Sequence, residues 1–106
     1  MSRFMRMMVM FDLPTETKTD KKNYTEFRRF LLKDGFDMMQ YSVYTRLCSS
    51  VDVVDTHAKR VVSQAPKKGS IRLITITNKQ FADMYILAGK KSTNERILTN
   101  ASLSLF

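Results

Sequence analysis

The sequence predicts an α+β sandwich with the β-α-β-β-α-β order of the split βαβ, or ferredoxin-like, plan. Three observations carry that prediction. The chain opens on a short apolar run, Arg6 to Pro14 (RMMVMFDLP), that ends abruptly in an acid and then a proline. Strand-like and helix-like stretches then alternate in the required order, with Gly35, Pro66 and Gly69 falling at their boundaries. At 106 residues, finally, there is room for one domain with one modest core. We expect that domain over residues 1–89, with a C-terminal strand appendage over residues 90–106.

Each element has a local cause. Met5 to Asp12 is apolar on both faces, Met5, Met7, Val9 and Phe11 on one and Arg6, Met8 and Met10 on the other, which describes a strand in the middle of a sheet. Pro14 stops it. Thr17 and Asp20 are spaced as a capping box, and from about Asp20 to Asp34 the period is helical. Tyr24, Phe27, Phe30 and Leu31 share one arc of that helix, while Lys18, Lys21, Lys22, Arg28, Arg29 and Lys33 share the opposite one. Gly35 stands where a helix C-terminal glycine belongs.

Phe36 to Gln40 and Val43 to Cys48 then suit two strands joined near Tyr41-Ser42. Ser49 or Ser50 with Asp52 begins a second helix, with Val51, Val54, Ala58, Val61, Val62 and Ala65 at core spacing, and Pro66 ends it. Lys67-Lys68-Gly69 is a basic turn into a fourth strand, Ser70 to Thr77. Asn78 to Asp83 suits a short helical turn and Met84 to Leu87 an apolar strand closed by Gly89.

Composition narrows the function. No run is long and apolar enough to span a bilayer, and the N-terminus lacks the pattern of a signal peptide, so a cytoplasmic protein without membrane contact is expected. Cys48 is the only cysteine, which excludes an intrachain disulfide and fits a small buried apolar residue. His57 is also alone, which disfavours most zinc sites and histidine-based nucleophiles, and its helix is expected to lie at the surface. The formal charge of +8 points to a polyanionic partner, nucleic acid before anionic membrane.

Patterning also predicts an assembly. In a two-layer sandwich the sheet face away from the helices should be polar, yet the first and fourth strands are apolar on both faces. Burying side chains of that size is worth roughly 1.5 to 3 kcal/mol each. A homodimer through the open sheet face, completed by exchange of C-terminal strands, is therefore expected. Dimerisation gives Asp12, at the exit of the first strand, a second meaning beside that of a turn former. One carboxylate is a poor site for a hard divalent cation, but two copies of Asp12 across a two-fold axis could hold magnesium or manganese against a phosphate.

Taken together, MRMMVMFDLP, the basic helix YTEFRRFLLKDGF, MQYSVYTR, and a strand entered from KKG and leading into TNKQF resemble the CRISPR-associated protein two family, in particular its type II form. The match runs in order from Met5 to Gly89. The resemblance implies a ferredoxin-like homodimer, a metal-dependent nuclease with Asp12 as its metal-site residue, and a complex in which the dimer bridges subunits of the CRISPR integrase. It weakens beyond Gly89, where the family's tail packs on its dimer mate and the integrase.

On that background the arc Lys18, Lys21, Lys22, Arg28, Arg29 and Lys33, extended by Lys67, Lys68 and Arg72, is expected to track the phosphate backbone of duplex DNA, with single-stranded RNA a second candidate ligand. Tyr24, Tyr41 and Tyr44 could stack on bases, although core packing is expected of at least two of them. Other classes fit less well. The third strand lacks an RNA-recognition signature, and no G-x-S-x-G element supports a hydrolase triad. A small-molecule regulatory domain has no use for the basic helix. What remains is a choice between a DNA-holding adaptor and a metal-dependent phosphodiesterase, with a nucleic-acid-binding module outside CRISPR as the alternative.

Overall fold

The computed structural model describes residues 4–89 and the short strand at 96–97. Four strands, β1 (Met5–Asp12), β2 (Asp37–Gln40), β3 (Val43–Cys48) and β4 (Ser70–Thr77), form one antiparallel sheet in the order β2-β3-β1-β4. Helices α1 (Lys18–Lys33) and α2 (Val51–Gln64) follow β1 and β3. This topology is consistent with the ferredoxin-like plan. A third helix, α3 (Asn78–Ala82), leads to β5 (Tyr85–Ile86), which pairs in parallel with β6 (Arg96–Ile97). The wider expectation about the tail lies outside the described residues.

The central place of β1 follows from its sequence. Met7, Val9 and Phe11 point to the helices and are buried, joined there by Tyr44 and Cys48 of β3, Phe27 and Leu31 of α1, Phe36 and Val61. Phe11 sits among rings, edge-on to Tyr24 and Phe27 and stacked on Tyr44 at a centroid distance of 5.6 Å. Residues directly opposite in an antiparallel pair share a face. The other face is therefore made by Arg6, Leu47 and Ile76, then Met8, Thr45 and Ile74, then Met10, Val43 and Arg72, and last Asp12 with Ser70.

The ends of α1 show why it starts and stops where it does. The Asp20 amide donates to Thr17 Oγ1 at 3.0 Å, and the Thr17 amide donates back to the Asp20 carboxylate at 3.2 Å, which completes the expected capping box. At the far end the Gly35 amide reaches the Leu32 carbonyl and the Phe36 amide the Leu31 carbonyl, with Gly35 at φ +91°. That is a Schellman stop.

Three expectations need correction. His57 is not on a surface face: α2 turns it inward, and it is buried. Val51 and Val62, assigned to the core, are exposed, while Val53 packs against the core instead. The inward arc of α2 is centred on His57, Val61 and Val54, so Val51 and Val62 fall at its margin. The open sheet face, third, is partly covered by the chain itself. Phe81 of α3 is buried there under Arg6, whose guanidinium lies 4.4 Å from the ring centroid and whose Nη2 donates to Asn78 Oδ1. Leu47 and Ile74 on that face stay exposed, Ile74 at 48%.

Candidate nucleic-acid interface and acidic strand end

The basic arc of α1 exists as expected. Lys18, Lys21, Lys22, Arg28, Arg29 and Lys33 are all exposed, because the opposite arc is taken up by Phe27, Leu31 and the half-buried Tyr24 and Phe30. Lys22 approaches Glu26 one turn on at 4.0 Å, an exposed contact worth little in water. The amphipathic division that builds the core thus also leaves a row of cations on one side.

The other three basic residues part company. Lys67 is exposed in the turn before β4. Lys68 beside it lies 3.6 Å from the carboxylate of Asp20, which is 5% exposed, so it answers the charge at the start of α1. The Thr17 amide, more than Lys68, holds the Asp20 carboxyl below its ordinary range. Arg72 is on the other side of the sheet. It stands between Ile71 and Leu73, both of which pack against the core, so alternation sends it to the open face opposite Met10. It does not extend the helix stripe.

Asp12 ends β1 on that same open face and is exposed, opposite Ser70. Two contacts fix the strand end. The Phe11 amide donates to the Ser42 carbonyl at 3.0 Å, which ties the β2-β3 hairpin tip to β1. Gly69, at φ +89°, lies so close that a Cβ there would stand 2.7 Å from the Asp12 carbonyl oxygen. A side chain at residue 69 is therefore excluded both by conformation and by space. Asp12, Arg72, Ser70, Tyr41, Ser42 and Val43, with Met10 and Phe11, line a shallow depression of about 300 Å³. Of the three tyrosines Tyr44 is buried, Tyr24 half-buried, and Tyr41, at the hairpin tip, 81% exposed. Hydrogen bonding to Tyr24 pushes the Tyr41 phenol above its ordinary range.

Among the described residues no group of three or more acidic, histidine or cysteine side chains gathers to hold a metal. Asp12 is one exposed carboxylate, and a hard divalent cation draws the rest of its oxygen ligands from further carboxylates, waters or phosphates.

Sequence reasoning missed a second polar cluster. Asp34, at the C-terminus of α1, places Oδ2 2.6 Å from Nδ1 of His57 and Oδ1 2.9 Å from Nη1 of Arg60. Its backbone carbonyl accepts from Nη1 of Arg46 at 2.7 Å. One residue thereby joins α1, α2 and β3. Nothing in the spacing of these four residues signals the meeting; only the lone polar His57 on the inward arc of α2 hinted at a buried partner.

The fold and these features define a small basic α+β protein whose central strand ends in an exposed acid. Compared with known families, residues 5–84 match the model described as CRISPR associated protein Cas2. The chain is 46% identical over 102 residues to the CRISPR-associated endoribonuclease Cas2 of Acidovorax ebreus, covering 96% of this chain and 100% of that one. It is 47% identical over 87 residues to the protein of the same name from Parvibaculum lavamentivorans, and 45% over 87 residues to that from Ligilactobacillus salivarius, in each case 82% of this chain and 86% of the relative. The chain belongs to the Cas2 family of CRISPR-associated proteins. No helix among the described residues is long and apolar enough to cross a membrane.

Proposed function

We propose that this protein is the DNA-holding subunit of CRISPR spacer acquisition: a cytoplasmic homodimer that lays the basic face of α1 along the phosphates of a captured duplex and bridges subunits of the integrase. The observation that carries this reading is the exposed arc of Lys18, Lys21, Lys22, Arg28, Arg29 and Lys33. Contacts of that kind recognise phosphate and not sequence, which suits a protein that must accept arbitrary DNA. The half-exposed apolar side chains Leu47 and Ile74 beside Met8 support the dimer, since a second copy would remove them from water.

Cleavage of phosphodiester bonds is the second reading, and the position of Asp12 favours it. The acid stands on the open sheet face, where a dimer axis would bring two copies together. Asp12 of each protomer would then hold magnesium or manganese, which supplies charge neutralisation and an activated water when bound. The relatives' names describe endoribonucleases, which extends the candidate substrates to RNA. With one carboxylate at the end of β1 against six exposed cations on α1, holding DNA ranks first and cutting second.

Cleavage of labelled duplex DNA and single-stranded RNA by wild type and Asp12→Ala, each with magnesium, manganese or chelator, separates the two. Slow, metal-dependent cutting that disappears in a still-dimeric Asp12→Ala, together with unimpaired spacer capture by that variant, is the expected result. Rapid turnover with spacer capture lost in Asp12→Ala reverses the ranking.

A further inference from the structure

We propose that Arg72 belongs to the Asp12 depression, where it holds the phosphate of a bound nucleotide, and not to the helix interface. This rests on the nucleic-acid reading above and assigns a residue within it. Three observations carry the assignment. Asp12 pairs with Ser70 and Met10 with Arg72, so Asp12 and Arg72 are diagonal neighbours on adjacent strands and on one face. Diagonal pairs of this sort lie about 7 to 8 Å apart at the backbone, within reach of a long side chain. Both line the same depression with the hydroxyl residues Ser70, Ser42 and Tyr41. Among the described ion pairs none closes Asp12 onto Arg72, so both groups can face one ligand.

The chemistry is complementary. A carboxylate alone repels a phosphodiester, and a guanidinium beside it offsets that repulsion while offering a planar fork of donors matched to phosphate oxygens. The ring of Tyr41 is exposed at the rim of the same depression and offers a face to a base. The hairpin tip that carries it is pinned to β1 by the Phe11 to Ser42 hydrogen bond, so the aromatic and charged walls are held in fixed relation.

Amide chemical shifts of the dimer, titrated with a short single-stranded oligonucleotide in chelator, test the assignment without requiring cleavage. Wild type should show shifts at Asp12, Ser42 and Ser70; Arg72→Ala should bind about tenfold more weakly at these amides, as for the loss of one charge-assisted contact, and Arg72→Lys should retain part of the affinity. Oligonucleotide shifts confined to α1, wild-type affinity in Arg72→Ala, or conversion of that variant to a monomer would each overturn the proposal. Loss of the α1 reading is seen separately, as wild-type protein that fails to bind duplex at all.

Discussion

The carboxylate of Asp34 lies 2.6 Å from Nδ1 of His57, and both side chains are nearly removed from solvent. The contact fastens the end of α1 to the inward face of α2, and Arg60 and Arg46 each donate to the same residue, one to its carboxylate and one to its backbone carbonyl. A buried polar group left without its partner costs more than the bond itself is worth. Asp34→Ala should therefore destabilise the fold by about 1 to 3 kcal/mol, read as a shift of the denaturant midpoint at unchanged slope. Arg60→Ala should cost far less, because Arg60 is largely exposed. Equal effects of the two would show that the histidine contact contributes nothing.

The Thr17–Asp20 capping box gives a stability term with a defined pH sign. The Asp20 carboxyl is held below its ordinary value chiefly by the Thr17 amide, so the ionised form is favoured in the folded state. Its contribution is full above the unfolded value and is lost as pH falls below about 4, through the lower folded value. Wild type should lose stability across that acid window more steeply than Asp20→Asn. Thr17→Ala should cost about 1 kcal/mol at neutral pH, as the loss of an N-cap does. Superimposable acid profiles for wild type and Asp20→Asn would remove the term.

Gly69 and Asp12 make a further test. Because residue 69 has φ +89° and no room for a Cβ beside the Asp12 carbonyl, Gly69→Ala should destabilise by about 1 to 3 kcal/mol and displace the end of β1. Gly89→Ala is the control: its φ is also positive, but nothing lies within 4 Å, so it should disturb Asp12 not at all. Amide shifts at Asp12 in both variants distinguish them.

Much of this architecture is legible in the sequence. The apolar run of β1 on both faces, the capping residues Thr17 and Asp20, the stop at Gly35, and the bounds of β3 and β4 all follow from local pattern, because each depends on residues within one turn or one strand. What is not legible depends on residues far apart. The meeting of Asp34, His57, Arg60 and Arg46 needs the packing of three elements, and the burial of Phe81 under Arg6 needs the return of α3 over the sheet. Arg72 is an intermediate case: alternation along Ile71, Arg72 and Leu73 separates it from Lys67, but charge alone groups the two. The Lys68 contact with Asp20 spans two elements and has no local signal.

The open sheet face sets a prediction about assembly. Ile74 is half-exposed on that face, on the edge strand β4 opposite Met8, so Ile74→Glu should leave the monomer folded and prevent a second copy from covering it. Sedimentation at micromolar concentration should give a dimer mass for wild type and a monomer mass for the variant. A monomeric wild type, or a dimeric Ile74→Glu, would mean that copies do not meet through this face.

The most direct measurement is the salt dependence of duplex binding by wild type and by Arg28→Ala/Arg29→Ala. Both arginines are exposed on α1, so the double variant keeps the core intact. Each phosphate contact on a duplex contributes about 0.9 to the slope of log affinity against log salt, and the double variant should flatten that slope by about two per protomer while weakening unrelated sequences alike. Parallel lines of equal affinity would show that the basic face of α1 does not hold the duplex.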